Sequence, residues 1–474
     1  MIRRWLTSGR LLGDVFALAG GTVIAQLFLI AASPFLTRLF KPADFGVLAV
    51  FASTLGILGV IVSWRYEFAI PIAKSDEEAA NLLVLSLLLV ALTSMGVAVA
   101  VFFWGEDYAQ WSNAPELSSL IWLVPVGLLA FGFFQSINYW HTRKKSFAHI
   151  GIAKMLQSAG QVVFQLIAGI GSLGALGLVL GQVLGRVASA AYLVHRLSLD
   201  LHLVSIGGIR SVGVRYKKFP LFTAWASLIN VIGTQAPVIM FAKLFTTEVA
   251  GLFSLTIRIL SLPAALIGQA VGQALYPRLA EKAKHSSAPS RMISDAALVL
   301  LIIAFPIFVF IGVYGPFLFT LIFGPGWHQS GIYARYLSPW LLLAFISSPL
   351  SMFVFVKEQQ GLAFIITIYE TSIRIGSIWV GSMINSADWA VILYASVGVL
   401  ISLVYILWVF WMAQVSIYGW VIQHRYYLLS AVSVLLLVLI IASNDTYISM
   451  AIGATVLSAH LWLWLHKYKG LLHA

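Results

Sequence analysis

Apolar residues along this chain come in runs of about 20, broken by short polar interruptions, almost from end to end. Each run is long enough to cross a hydrocarbon core of ~30 Å as a helix. The pattern predicts spans at 13–36, 44–63, 80–104, 118–139, 147–170 and 173–195, then at 220–243, 249–274, 293–314, 331–355, 361–384 and 388–412. Two more follow at 426–443 and 447–466. The first run, behind Arg3, Arg4 and Arg10, is read as a span and not as a signal peptide, because it is long and has a counterpart at the start of the second half.

That counterpart belongs to an internal repeat. The stretch Arg38-Leu39-Phe40-Lys41-Pro42-Ala43-Asp44-Phe45-Gly46 returns, weakened, as Lys243-Leu244-Phe245-Thr246-Thr247-Glu248-Val249-Ala250-Gly251, at an offset of 205 residues. A proline precedes each copy, Pro34 and Pro237. Further on, the nine residues beginning Leu123-Val124-Pro125 are echoed by those beginning Leu337-Ser338-Pro339, at an offset of 214. Two echoes in the same order at nearly one offset predict two homologous halves. The fold class is therefore an all-α polytopic membrane protein. Two parallel six-helix bundles would be related by a pseudo-two-fold axis along the membrane normal, with two extra C-terminal helices and about 14 spans in all. The corresponding domains are 1–196, a cytoplasmic basic linker at 197–219, the second bundle at 220–412 and the added helices at 413–474.

Composition excludes a soluble protein: 60% of the 474 residues are hydrophobic and 10% are charged, against about 25% charged in soluble domains. There is no cysteine, hence no disulfide or thiol chemistry. A net charge of +12 could suggest nucleic acid, but in a membrane protein excess Lys and Arg reports loop orientation. With the N-terminus in the cytoplasm, only Arg38, Lys41 and Lys243 of the 29 Lys and Arg fall in loops on the outer side. Both termini are then cytoplasmic. The linker carrying Arg210, Arg215, Lys217 and Lys218 is expected to lie on anionic headgroups.

Five cations remain inside spans: Lys154, Arg186, Arg258, Arg335 and Arg374. At the bilayer centre each costs at least ~2.5–3.5 kcal/mol, so it needs a partner, water or a task. The only acid clearly within a span is Glu370, four residues before Arg374 and able to pair with it. It is also the candidate for coupling transport to protons or sodium. Surplus cations can hold a phosphate or pyrophosphate in a cavity between the halves. Arg258 stands five residues before Pro263, a candidate hinge, since proline frees a backbone carbonyl and bends a helix. Lys154 and Arg186 can also snorkel, and Arg335 can serve as an anchor. Arg38 and Lys243 sit at equivalent helix ends, where they position those ends or gate the path. Candidates for sugar contact are Gln161, Gln165, Asn230, Gln235, Gln269 and Gln273. His460 has no acid or cysteine beside it in sequence, so no metal site is expected. The absence of a Gly-rich loop ending in Gly-Lys-Ser/Thr argues against ATP hydrolysis.

The run Gly20-Gly21-Thr22-Val23-Ile24-Ala25-Gln26, followed by the stretch from Leu36 to Gly46, resembles the opening of bacterial polysaccharide exporters of the Wzx-type flippase family. Arg65-Tyr66-Glu67-Phe68-Ala69-Ile70, the segment around Arg258, Pro263 and Tyr276-Pro277-Arg278, and Phe323-Gly324-Pro325-Gly326-Trp327 are similar too. The resemblance implies a flippase moving undecaprenyl-pyrophosphate-linked oligosaccharide from the inner to the outer leaflet of the bacterial inner membrane. Such a protein works in O-antigen, capsule or exopolysaccharide synthesis, alongside a polymerase and a chain-length regulator, and needs no cofactor beyond an ion gradient. The wider superfamily also holds lipid II flippases and multidrug/cation antiporters, and the two added helices are more like the lipid II branch. The competing readings are a proton- or sodium-coupled drug antiporter, which would prefer acids to cations in its cavity, and a membrane polymerase or ligase, which would need a sizeable outer loop.

Overall fold

The computed structural model describes residues 9–284, 289–442 and 447–468. Among them every regular element is helical. The longer helices are α1 (Gly9–Leu39), α2 (Pro42–Ile61), α3 (Asp76–Trp111), α4 (Leu123–Arg143), α5 (Phe147–Ile170), α6 (Gly174–His195), α7 (Ile206–Arg215) and α8 (Ala224–Leu244). They continue as α9 (Thr247–Leu260), α10 (Gln269–Lys284), α11 (Ser290–Phe323), α12 (His328–Leu350), α13 (Gln360–Met383), α14 (Ala387–Met412), α15 (Arg425–Ala442) and α16 (Tyr447–Lys467). Among the described residues thirteen helices are long and apolar enough to cross a membrane.

The eighth expected span, 249–274, is not one helix. Helix α9 ends at Leu260, a π-helical turn covers Ala264–Gly268, and α10 then runs to Lys284. The cause is local: Pro263 has no N–H to donate, and its ring displaces the carbonyl one turn earlier.

By their contacts the residues form two compact units, Met1–Gly251 and Leu252–Ala474, divided inside α9. In the first, α3 packs on α4, α4 on α6, and α5 on α6. The second repeats this order with α11 on α12, α12 on α14, and α13 on α14. Small residues set the closest approaches. Gly21 of α1 lies on the Gly151 backbone of α5, where an added Cβ would come within 2.6 Å of the Gly151 Cα. Helix α8 packs along α2 and so belongs to the first unit. In the second unit α15 and α16 pack on α11. There His460 is buried, meets Ser430 Oγ at 3.1 Å and lies among Phe305, Tyr427 and Trp464.

The basic segment after α6 is also ordered. Its helix α7 is fastened to α3: Tyr216 donates to Glu78 at 3.1 Å, Arg215 pairs with the same carboxylate, and Asn81 donates to the Leu203 carbonyl at 2.9 Å.

The two copies of the repeated motif touch each other within the first unit. Gly46 sits against the Thr247 backbone and Gly251 against the Pro42 backbone, so a Cβ at either glycine would overlap the facing carbonyl. At the offset of 205, Thr247 is the counterpart of Pro42 and Gly251 that of Gly46. The contact is thus reciprocal, as a local two-fold would make it.

Candidate functional site

In the first unit, the tight α1–α5 contact brings Thr22 to Lys154, whose Nζ donates to Thr22 Oγ1 at 2.9 Å. Arg186, on α6, places its guanidinium 5.0 Å from the Phe131 ring of α4. Its Nε is buried with no hydrogen-bond partner, as is Gln182 Oε1 one turn earlier. Both cations are half-buried, and among the described residues neither has a carboxylate within ion-pair distance. The α5–α6 interface explains where two of the expected sugar contacts go. Gly181 and Gly185 let the helices meet over Gln161 and Gln165, and Gln165, 2% exposed, donates to the Leu178 carbonyl at 2.8 Å. Gln165 is therefore a packing residue. Gln235 lies against Gly56, Asn230 is exposed, and the side chains of Gln269 and Gln273 lie outside the described residues.

In the second unit, Glu370 and Arg374 pair along α13 at 2.7 Å. The guanidinium lies 4.1 Å from the Trp340 ring of α12 and 5.5 Å from the Tyr394 ring of α14. Those rings meet edge to face, and Gly398 makes room for Trp340. A buried guanidinium held by one carboxylate and two aromatic faces is fixed in place and largely neutralised. Glu370 also faces a cavity of about 420 Å³ between α13 and α14, lined by Tyr369, Tyr405 and Trp408 among others.

Arg258 differs. Helix α9 is pinned by Thr256 Oγ1 donating to the Ser330 carbonyl and Ser330 Oγ to the Leu252 carbonyl, both at 3.0 Å. Arg258 itself is half-buried and has no carboxylate within ion-pair distance among the described residues. It sits two residues before the end of α9 and five before Pro263. A cation at a helix C-terminus is favoured by the dipole, and Ser261 Oγ caps the Arg258 carbonyl at 3.1 Å.

The three other candidates have structural work. Arg335 is exposed and donates to the Gly312 and Val313 carbonyls at 3.3 and 3.2 Å. Pro316 of α11 cannot donate to Gly312, so Arg335 supplies the missing donor. Arg38 is exposed and donates to the Pro34 carbonyl at 2.8 Å. Lys243 Nζ stands 4.0 Å from the Trp111 ring, next to Asn113, which donates to the Phe245 carbonyl at 2.7 Å.

One acid escapes a reading by spans because it lies in a connection. After α2, Arg65 takes a left-handed conformation, φ 63, and turns the chain into a short 3₁₀ helix, Tyr66–Ile72. The turn buries Glu67 completely. Its carboxylate accepts from Ser63 and from Gln135 Nε2 at 2.7 Å, with Arg65 Nη1 at 3.5 Å. Burial pushes its pKa up, and the hydrogen bonds and Arg65 only partly oppose that. The sequence signal was Arg65-Tyr66-Glu67 in an otherwise apolar turn.

Helices in this number make the chain a multi-pass membrane protein. Its similarity to solved structures is of that kind. The lipid II flippase MurJ, inward closed, superposes with a TM-score of 0.77 at 12% identity, covering 95% of this chain and 99% of that one. An inward-facing multidrug resistance MATE family transporter of the MOP superfamily gives 0.69 at 16%, covering 85% and 98%. A MOP superfamily transporter from Pyrococcus furiosus gives 0.54 at 15%, covering 85% and 95%. At these identities the likeness is one of fold. No curated protein sequence matches the chain. Residues 35–331 match the family described as "Polysaccharide biosynthesis protein", and the chain belongs to that family.

Proposed function

We propose that this protein is a flippase. It moves undecaprenyl-pyrophosphate-linked oligosaccharide from the cytoplasmic to the periplasmic leaflet of the bacterial inner membrane by alternating access, for O-antigen, capsule or exopolysaccharide synthesis. The observation that carries the reading is the charge balance: Lys154, Arg186 and Arg258 have no carboxylate within ion-pair distance among the described residues. Cations left unneutralised within spans are costly unless a transported anion uses them. A pyrophosphate offers several acceptor oxygens to guanidinium donors. Arg258 is the leading candidate ligand in the second unit, and Lys154 and Arg186 are the candidates in the first. Arg374 serves through its fixed pairing with Glu370, and release of that pair on protonation of Glu370 would couple transport to an ion gradient.

Family membership favours a polysaccharide precursor over a drug as cargo. An organic-cation antiporter would need free acids, whereas Glu370 is already paired. A polymerase and a chain-length regulator are the expected partners downstream.

The test uses purified protein in sealed liposomes loaded with undecaprenyl-pyrophosphate oligosaccharide, with a glycosidase outside to report leaflet exposure. Protein-dependent exposure of chemically unaltered glycan supports the reading. A change in glycan mass without the glycosidase would make the protein an enzyme. No exposure across several glycans and imposed proton or sodium gradients would contradict the flippase.

A further inference from the structure

The first unit holds an apolar cavity of about 470 Å³ that the proposed translocation does not use. Its walls are α2 (Thr54, Leu58), α3 (from Val97 to Trp111), α4 (Val124) and α8 (Ala236, Met240). The polar groups on the α2 and α3 walls, Thr54 Oγ1 and Tyr108 OH, satisfy each other at 2.6 Å. What lines the space is therefore hydrocarbon and aromatic rings. The volume lies within the ~300–1,000 Å³ of ordinary ligand sites.

Three features say what fits. Along α3 the lining runs from Val97 to Trp111, which is about 21 Å at 1.5 Å per residue. That exceeds half of a ~30 Å hydrocarbon core, so the cavity is one leaflet deep. Its lining residues Trp104 and Trp111 are 63% and 48% exposed, so the slot reaches the surface of the unit beside them. At the Trp111 end Lys243 Nζ caps the ring at 4.0 Å, half-buried, with no carboxylate within ion-pair distance among the described residues. The Asn113–Phe245 hydrogen bond holds the ends of α3 and α8 together there. Tryptophan and a cation at one end of a leaflet-deep apolar slot match the headgroup level of a bilayer.

We infer that this cavity is a binding site for one membrane phospholipid of negative charge: an acyl chain fills the slot between α3 and α8, and the phosphate sits against Lys243. The lipid completes the packing of α8 on its unit. A zwitterionic lipid carries a compensating cation beside its phosphate and leaves Lys243 less satisfied, so the site selects anionic headgroups.

The experiment uses the full chain in nanodiscs of phosphatidylcholine with a trace of phosphatidylglycerol bearing a diazirine on its acyl chain. After irradiation the labelled peptides are mapped by mass spectrometry. The expected result is label concentrated on 97–111 and 236–240, falling several-fold with excess unlabelled phosphatidylglycerol and with the matching phosphatidylcholine probe. Lys243→Gln should give the same fall. Because competition is read on the unaltered protein, the test stands even if that variant does not fold. Equal labelling by both probes, or label spread evenly over the lipid-facing helices, would overturn the proposal. So would labelling of these segments by an undecaprenyl phosphate probe and not by phosphatidylglycerol.

Discussion

Helix α2 and the α9–α10 segment are two copies of one design that diverge after their first turns. Both open on the repeated motif, and the Gly46–Thr247 and Gly251–Pro42 contacts are mirror uses of the same positions. The offset of 205 then places Arg258 opposite Ser53 and Pro263 opposite Leu58. Ser53 is 2% exposed and α2 runs unbroken to Ile61. Arg258 is half-buried without an acid, and α9 stops at Leu260. The first copy kept the repeat as a packing element. The second carries a cation and a break at the matching positions, the two features on which the proposed flippase rests. The copies share the packing contact and differ in the charge and the break.

Several changes would break or sharpen that comparison. The largest effect should come from giving α2 the break of its counterpart. Leu58→Pro should cost about 3 kcal/mol or more, seen as loss of folded protein in thermal unfolding in detergent. Giving α2 the charge comes next: Ser53→Arg should cost ~2.5–3.5 kcal/mol, because Ser53 is buried and a guanidinium there loses its water. A folded Ser53→Arg variant of unchanged stability would mean that the two positions are not different environments. Gly46→Ala and Gly251→Ala should each cost ~1–3 kcal/mol by overpacking. The double variant should cost less than their sum, because both act on one contact. The smallest effect concerns Glu67. Burial raises its folded pKa above the ordinary 4.5, so the folded state holds the proton longer than the unfolded chain. Stability therefore falls as pH rises from that ordinary value to the folded one and is level outside this window. Glu67→Gln should flatten that slope in unfolding titrations, and an unchanged slope would assign it to another group.

Much of the scaffold was legible in the sequence because membrane helices announce themselves by length and apolarity, and the repeat by its two offsets. The same reading treated 249–274 as one span, since hydropathy is blind to a missing N–H. Pro263 was the signal that the helix breaks. The five intraspan cations were found by subtraction, but of their partners only Glu370, one turn from Arg374, was visible. Arg335 is occupied because Pro316 leaves a carbonyl free on another helix, and Arg374 because Trp340 and Tyr394 converge on it. Such pairings depend on which helices touch. Glu67 was hidden for a related reason: its burial follows from a turn in which two residues, Trp64 and Arg65, are left-handed.

The most direct test of the account is glycan translocation in sealed liposomes by Arg258→Ala and Arg258→Lys beside the unaltered protein, with thermal unfolding measured on the same samples. The account predicts unchanged stability, no translocation above the protein-free rate for Arg258→Ala, and partial activity for Arg258→Lys, where charge survives without bidentate contact. Unimpaired translocation by a folded Arg258→Ala protein would contradict it.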